Sequence, residues 1–143
     1  MLNALSRIIF ICCSLTAIAV CATGCRPRLI AGKYLVDAIG EPGRCLFFDD
    51  GTVRVEPNVV SVGWDDRHVI VRQRPDAKTR HRYPKSQDCR EPIFYYYIIE
   101  HTKDVSYADA KDVVSGPFVK DEFYAEREQM GVSSNLDFMV NFN

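Results

Sequence analysis

Three histidines in 143 residues leave little material for a metal centre or a histidine-based relay. His68, His81 and His101 are scattered, and no ligand-type spacing joins them to a cysteine. The chain also lacks a glycine-rich phosphate loop, a zinc-protease motif and a serine nucleophile elbow, which removes the motif-bearing hydrolases and nucleotide enzymes. An excess of charge of either sign is missing as well. The formal net charge is −1, which excludes a strongly basic nucleic-acid binder. No internal repeat or low-complexity tract occurs, and the length suits one domain.

One absence is local. Residues 1–24 contain no acidic side chain and a single basic one, Arg7. From Ile8 to Ala22 the chain is apolar except for Ser14 and Thr16. That run falls short of the ~20 residues a membrane-crossing helix needs. A short positive start, an apolar core and then small residues make the pattern of a signal peptide. The residues that follow, Ala22-Thr23-Gly24-Cys25, resemble the lipobox of bacterial lipoproteins, with Ala22 where Leu is usual. The resemblance implies diacylglycerol on the Cys25 sulfur and cleavage before it, hence a lipid anchor in the cell envelope. At about 0.8 kcal/mol per buried CH₂, two or three acyl chains hold a protein where one would not. Arg26 stands where Asp would retain a lipoprotein at the inner membrane. In a Gram-negative cell the resemblance therefore implies the periplasmic face of the outer membrane. The expected organisation is a signal peptide over 1–24, a lipidated tether over 25–32 and one β-rich domain over 33–143.

Cys12, Cys13 and Cys21 would leave with the signal, and Cys25 would carry lipid. Cys45 and Cys89 remain, and in an oxidising compartment an even pair reads first as a disulfide. Closing a loop of roughly 45 residues would add about 4 kcal/mol of stability by chain entropy. Two buried free thiols are the alternative.

The body reads as short strands in quick succession: Lys33–Ile39, Cys45–Phe48, Thr52–Glu56, Val59–Gly63 and His68–Arg74. Gly40 to Gly43, Asp49-Asp50-Gly51 and Trp64 to Arg67 have turn composition. Residues 75–92, with Pro75, Pro84 and Pro92, form a polar loop. Over 67–90 the chain carries eight Lys or Arg against two Asp, which reads first as a solvated loop and, more sharply, as a basic patch for anionic lipid headgroups or an acidic envelope partner. Ile93–Ile99 is apolar or aromatic at every position, the pattern of a central strand. A short helix is expected over Ser106–Val114, stopped by Ser115-Gly116-Pro117. A longer one is expected over Lys120–Met130, with Phe123, Arg127 and Met130 on one face and Gly131 as its stop. Leu136 to Phe142 alternates, as a last strand or packed tail would. The sum is an α+β fold, a meandering antiparallel sheet of five to seven strands with a C-terminal helix packed on it.

Gly32-Lys33-Tyr34, Gly63-Trp64-Asp65-Asp66, Tyr95-Tyr96-Tyr97, Gly116-Pro117 and the Phe123/Arg127 pair resemble a family of small bacterial lipoproteins of unknown function. Members usually place Thr or Ser as the helix cap where this chain has Val119. The resemblance implies a fold and no activity.

Asp49-Asp50 and Asp65-Asp66 read as turns, and neither supplies the half-dozen spaced oxygens that Ca²⁺ requires. A Cys89–His nucleophile pair would need Cys89 reduced. The expectation is therefore a non-catalytic binding or structural module with no cofactor and no metal, for example an inhibitor or immunity-type protein. It would bind the membrane through Cys25 and a protein partner through loop 75–92. The alternative is a small envelope hydrolase using Asp65, Asp66 and His68.

Overall fold

The computed structural model describes residues 28–38, 43–75 and 93–142. Among the described residues nine strands and two helices follow one another: β1 Arg28–Ile30, β2 Tyr34–Ala38, β3 Arg44–Phe48, β4 Val53–Val55, β5 Val59–Trp64, β6 His68–Gln73, β7 Tyr95–Glu100, α1 Ala110–Val113, β8 Val114–Phe118, α2 Lys120–Gln129 and β9 Val140–Asn141. The α+β class and the antiparallel neighbour pairing expected from the sequence hold. The strands divide into two sheets, of order β1-β2-β3-β4 and β8-β7-β6-β5-β9. The division falls at Pro57-Asn58, where Asn58 takes φ 79° and the chain leaves one sheet for the other.

The body makes three layers. Between the sheets lie Ile30, Tyr34, Val36, Leu46, Phe48 and Val55 from the first, and Val59, Val62, Val69, Val71 and Ile99 from the second. On the far face of the second sheet, Ile70, Tyr96 and Ile98 meet Phe123 of α2 together with Val132 and Leu136. The unbroken aromatic and aliphatic run of β7, Tyr95 to Ile99, is explained by this arrangement. Successive side chains point to opposite faces, and both faces of its sheet are covered. Phe123 is fully buried and stacks on Tyr96 at 4.8 Å between ring centroids. Burial of such a ring contributes about 1.5–3 kcal/mol.

Three elements depart from expectation. Arg28 to Ile30 already pair with β2, inside the stretch expected to be tether, with Leu29 opposite Leu35. The helix expected over Ser106–Val114 shrinks to the four residues of α1, and Val114 to Phe118 continue as β8 beside β7. Three β-branched or polar residues, Val113, Val114 and Ser115, favour extended pairing over a further turn. The alternating tail pairs only over Val140–Asn141, against β5. Gly63 explains how that tail lies so close: a Cβ there would stand 2.0 Å from the Asp137 carbonyl oxygen.

Candidate functional site

The most developed polar constellation is one that sequence reading misses. Leu46 pairs with Val55 and Phe47 with Val53, so Arg54 is the extra residue of a β-bulge. Alternation would send Arg54 away from Val53 and Val55 both. The bulge instead lets Arg54 and Val55 point inward together, 3% and 2% exposed. The Arg54 guanidinium donates to Asp104 through Nε to Oδ2 at 2.9 Å and through Nη2 to Oδ1 at 2.9 Å. Nη2 also donates to the Val105 carbonyl at 3.1 Å, and the group lies 4.8 Å over the Phe48 ring. The Tyr34 hydroxyl donates to Asp104 Oδ2 at 2.8 Å. Burial and then the Asp104 carboxylate push the Tyr34 hydroxyl far above its usual range. Burial disfavours the Arg54 charge, but Asp104 outweighs it and the guanidinium is held above its ordinary value.

The network runs on to the surface. Arg54 Nη1 donates to Thr52 Oγ1 at 2.5 Å, and Thr52 donates to Asp50 through its hydroxyl at 2.6 Å and its N–H at 2.8 Å. The Asp50 carboxylate also accepts from the Tyr107 backbone N–H. The Thr52 hydroxyl foremost holds the Asp50 carboxyl below the usual range. Every group in this chain is donor to or acceptor from the next. Its effect is to clamp the loop after β7 onto the first sheet. Tyr107 is fixed at φ 61°, an uncommon conformation for a residue with a side chain, and stands 82% exposed.

Asp65, Asp66 and His68 lie at the β5–β6 turn. Asp65 Oδ1 accepts from the N–H groups of Arg67 at 2.8 Å and His68 at 2.7 Å, a turn-closing use of the carboxylate. Burial raises the Asp65 carboxyl, and these two N–H groups outweigh it, so it sits below its usual range. Asp66 is exposed. His68 is 1% exposed, its Nδ1 is 3.8 Å from Asp65 Oδ1, and its buried Nε2 has no partner among the described residues. Burial lowers its proton affinity, with Asp65 partly offsetting. Asp65 and Asp66 do line a shallow recess with Leu29, Ala31, Trp64 and His101, and His68 is not part of that wall.

Cys45 is buried in β3 with a free thiol, raised by burial first and by Glu56 second. Its expected partner Cys89 lies outside the described residues, as do Cys25, the signal segment and residues 76–92 of the basic loop. Asp49-Asp50-Gly51 is the β3–β4 turn, with Gly51 at φ 84°. Among the described residues no group of three or more His, Cys, Asp and Glu is placed to share a metal ion. No described helix is long and apolar enough to cross a membrane.

At the opposite end from Tyr107 the strand ends form a second recess of about 380 Å³, lined in part by Arg44, Asn58, Arg72, Arg74, Phe94 and Phe142. Arg72 lies 4.9 Å over Phe94 and 5.2 Å over Phe138, and Arg44 lies 5.5 Å over Phe142.

These features define a two-sheet antiparallel α+β body whose buried charges are spent on one another. The chain belongs to the family described as a protein of unknown function (DUF3997), whose model matches residues 48–140. Searches of the curated proteins and of the solved structures each found no match.

Proposed function

We propose that this protein is a lipid-anchored, non-catalytic binding module of the cell envelope that presents the Tyr107 loop to a protein partner. The observation that carries the reading is the use made of the Arg54–Asp104–Tyr34 network. It is sealed from solvent and satisfied internally, and it holds a loop whose Val105 and Tyr107 are 61% and 82% exposed. A rigid loop with a bare tyrosine loses little entropy on binding, and tyrosine is a frequent anchor of protein interfaces. The anchor fits the same geometry. Arg28, three residues after Cys25, is paired in β1, and the loop lies at the other end of the strands. The Asp65 carboxylate is occupied in closing a turn, which favours this reading over a hydrolase built on Asp65, Asp66 and His68. In the oxidising space the reading assigns, Cys45 would pair with Cys89.

The test is the intact mass of protein purified from membranes without reductant, followed by crosslinking. The expected mass is that of residues 25–143 plus acyl chains, less two hydrogens for the bridge. A photo-crosslinker at position 107 should give one discrete adduct, and one at exposed Tyr124 on α2 should give none. An unlipidated mass sinks the anchor. Equal labelling from both positions sinks the binding loop.

A further inference from the structure

The recess at the anchor end brings three arginines together, and among the described residues no carboxylate lines it. Like charges so placed repel, and an entering anion would relieve that repulsion. Arg44 and Arg72 are stacked on aromatic rings, which fixes the planes of their guanidinium groups and leaves the N–H edges to donate. Arg72 Nη2 reaches the Asn141 side-chain oxygen only at 3.4 Å, and its buried Nε has no acceptor among the described residues. Asn58 adds a side-chain amide to the wall, and Arg74 is exposed at the rim. Forked, in-plane donors of this kind match the oxygens of a phosphate group, which can accept from two at once.

We propose that the Arg44–Arg72–Arg74 recess binds a phosphate-bearing anion. The site's place in the fold names a source. Arg28 pairs with Val36 and Arg44 with Ala38, so β1 starts at the recess end of its sheet. Three residues extend at most about 10 Å, so lipid on Cys25 would set this end against the headgroups. The source of the phosphate rests on the lipid-anchor reading; the binding itself does not.

The test uses the full chain in neutral detergent, recovered from whichever cell fraction holds it and titrated calorimetrically with inorganic phosphate and with dihexanoyl phosphatidylglycerol. The Arg44→Gln/Arg74→Gln variant leaves the Arg72 stack between Phe94 and Phe138 in place, and its unfolding transition reports that it is folded. Both probes should saturate, weaken with added salt, and bind roughly tenfold or more weakly to the variant, as expected for losing charge-assisted contacts. Tighter binding of the lipid than of phosphate identifies a headgroup site, and equal binding identifies a site for free phosphate or a phosphorylated molecule. No saturable binding of either probe, or binding untouched in the folded variant, overturns the proposal. Because the titration does not depend on Cys25, failure here leaves the mass measurement of the anchor standing, and the converse holds.

Discussion

Replacing Asp104 by Asn should cost about 3–5 kcal/mol of folding stability, because it removes the counter-charge from a guanidinium with no solvent exposure. Asn keeps the volume and one acceptor oxygen, so the loss is electrostatic rather than a cavity. Small domains are stable by only about 5–15 kcal/mol, so the variant should unfold at a markedly lower urea concentration. Trp64, the single tryptophan, packs against the core between the sheets and is a suitable fluorescent reporter. Two controls separate the causes. Tyr34→Phe removes one hydrogen bond and leaves the ion pair, so about 1 kcal/mol is expected. Arg54→Met combined with Asp104→Leu removes both charges at once and should cost much less than the two single changes together, since apolar replacements of buried pairs are often tolerated. A cost below about 1 kcal/mol for Asp104→Asn, or strict additivity in the double variant, would refute the view that this pair clamps the loop.

Three further outcomes follow from single positions. Val119 begins α2 without a side-chain acceptor, although the Glu122 carboxylate already accepts from the Val119 N–H at 3.1 Å; Val119→Thr should complete the reciprocal cap and add about 0.5–1 kcal/mol, and no gain in urea midpoint would count against it. Gly63→Ala would drive a methyl into the Asp137 carbonyl and toward Ile70, costing about 1–3 kcal/mol and loosening the Met139 to Val62 hydrogen bond, which amide exchange at Met139 should register; unchanged exchange would show that the tail yields freely. His68 binds its proton less readily folded than unfolded, so the unfolded chain takes up more protons as pH falls below about 6.5. Stability should therefore fall with acidification through that window, and His68→Gln should flatten the slope; an unaltered slope would place the effect on other groups.

The fold was legible where residues obey one period. Ile93 to Ile99 could only be a strand covered on both faces, and Phe123, Arg127 and Met130 marked the inner side of α2. There the Arg127 guanidinium sits 5.5 Å over Phe123 and donates to the carbonyls of Ser133 and Leu136, both at 2.7 Å, pinning the tail. The second sheet boundary was hidden because Pro57-Asn58 looks like any hairpin turn. The central network was hidden for a sharper reason. Arg54 sits in Thr52 to Glu56, where alternation alone assigns it the face opposite Val53 and Val55, and only a bulge, a long-range pairing irregularity, reverses that. A charged residue in the middle of a short apolar strand was the available signal. Its partner Asp104, about fifty residues on, lies in a segment with no periodicity at all.

The two ends of the body are built from opposite electrostatics, and this bears on how it would work. At one end, acidic Asp50 and Asp104 are saturated by N–H, hydroxyl and guanidinium donors, and the surface they support offers an aromatic ring and a valine. At the other, Arg44 and Arg72 lie over aromatic rings, and the buried Arg72 Nε has no acceptor among the described residues. A site with its polar groups already satisfied gains most by burying apolar surface, which is how a protein partner would engage Tyr107. A site with donors in excess gains most from an anion. Anionic headgroups would then hold the arginine end, and acyl chains on Cys25 would keep it there. The five or six residues of each long strand, at about 3.3 Å per residue, would set the Tyr107 loop some 15–20 Å farther from the bilayer. The two contacts differ in their salt response as well. Grip on the headgroups should weaken as ionic strength rises, whereas the tyrosine contact, being apolar, should persist.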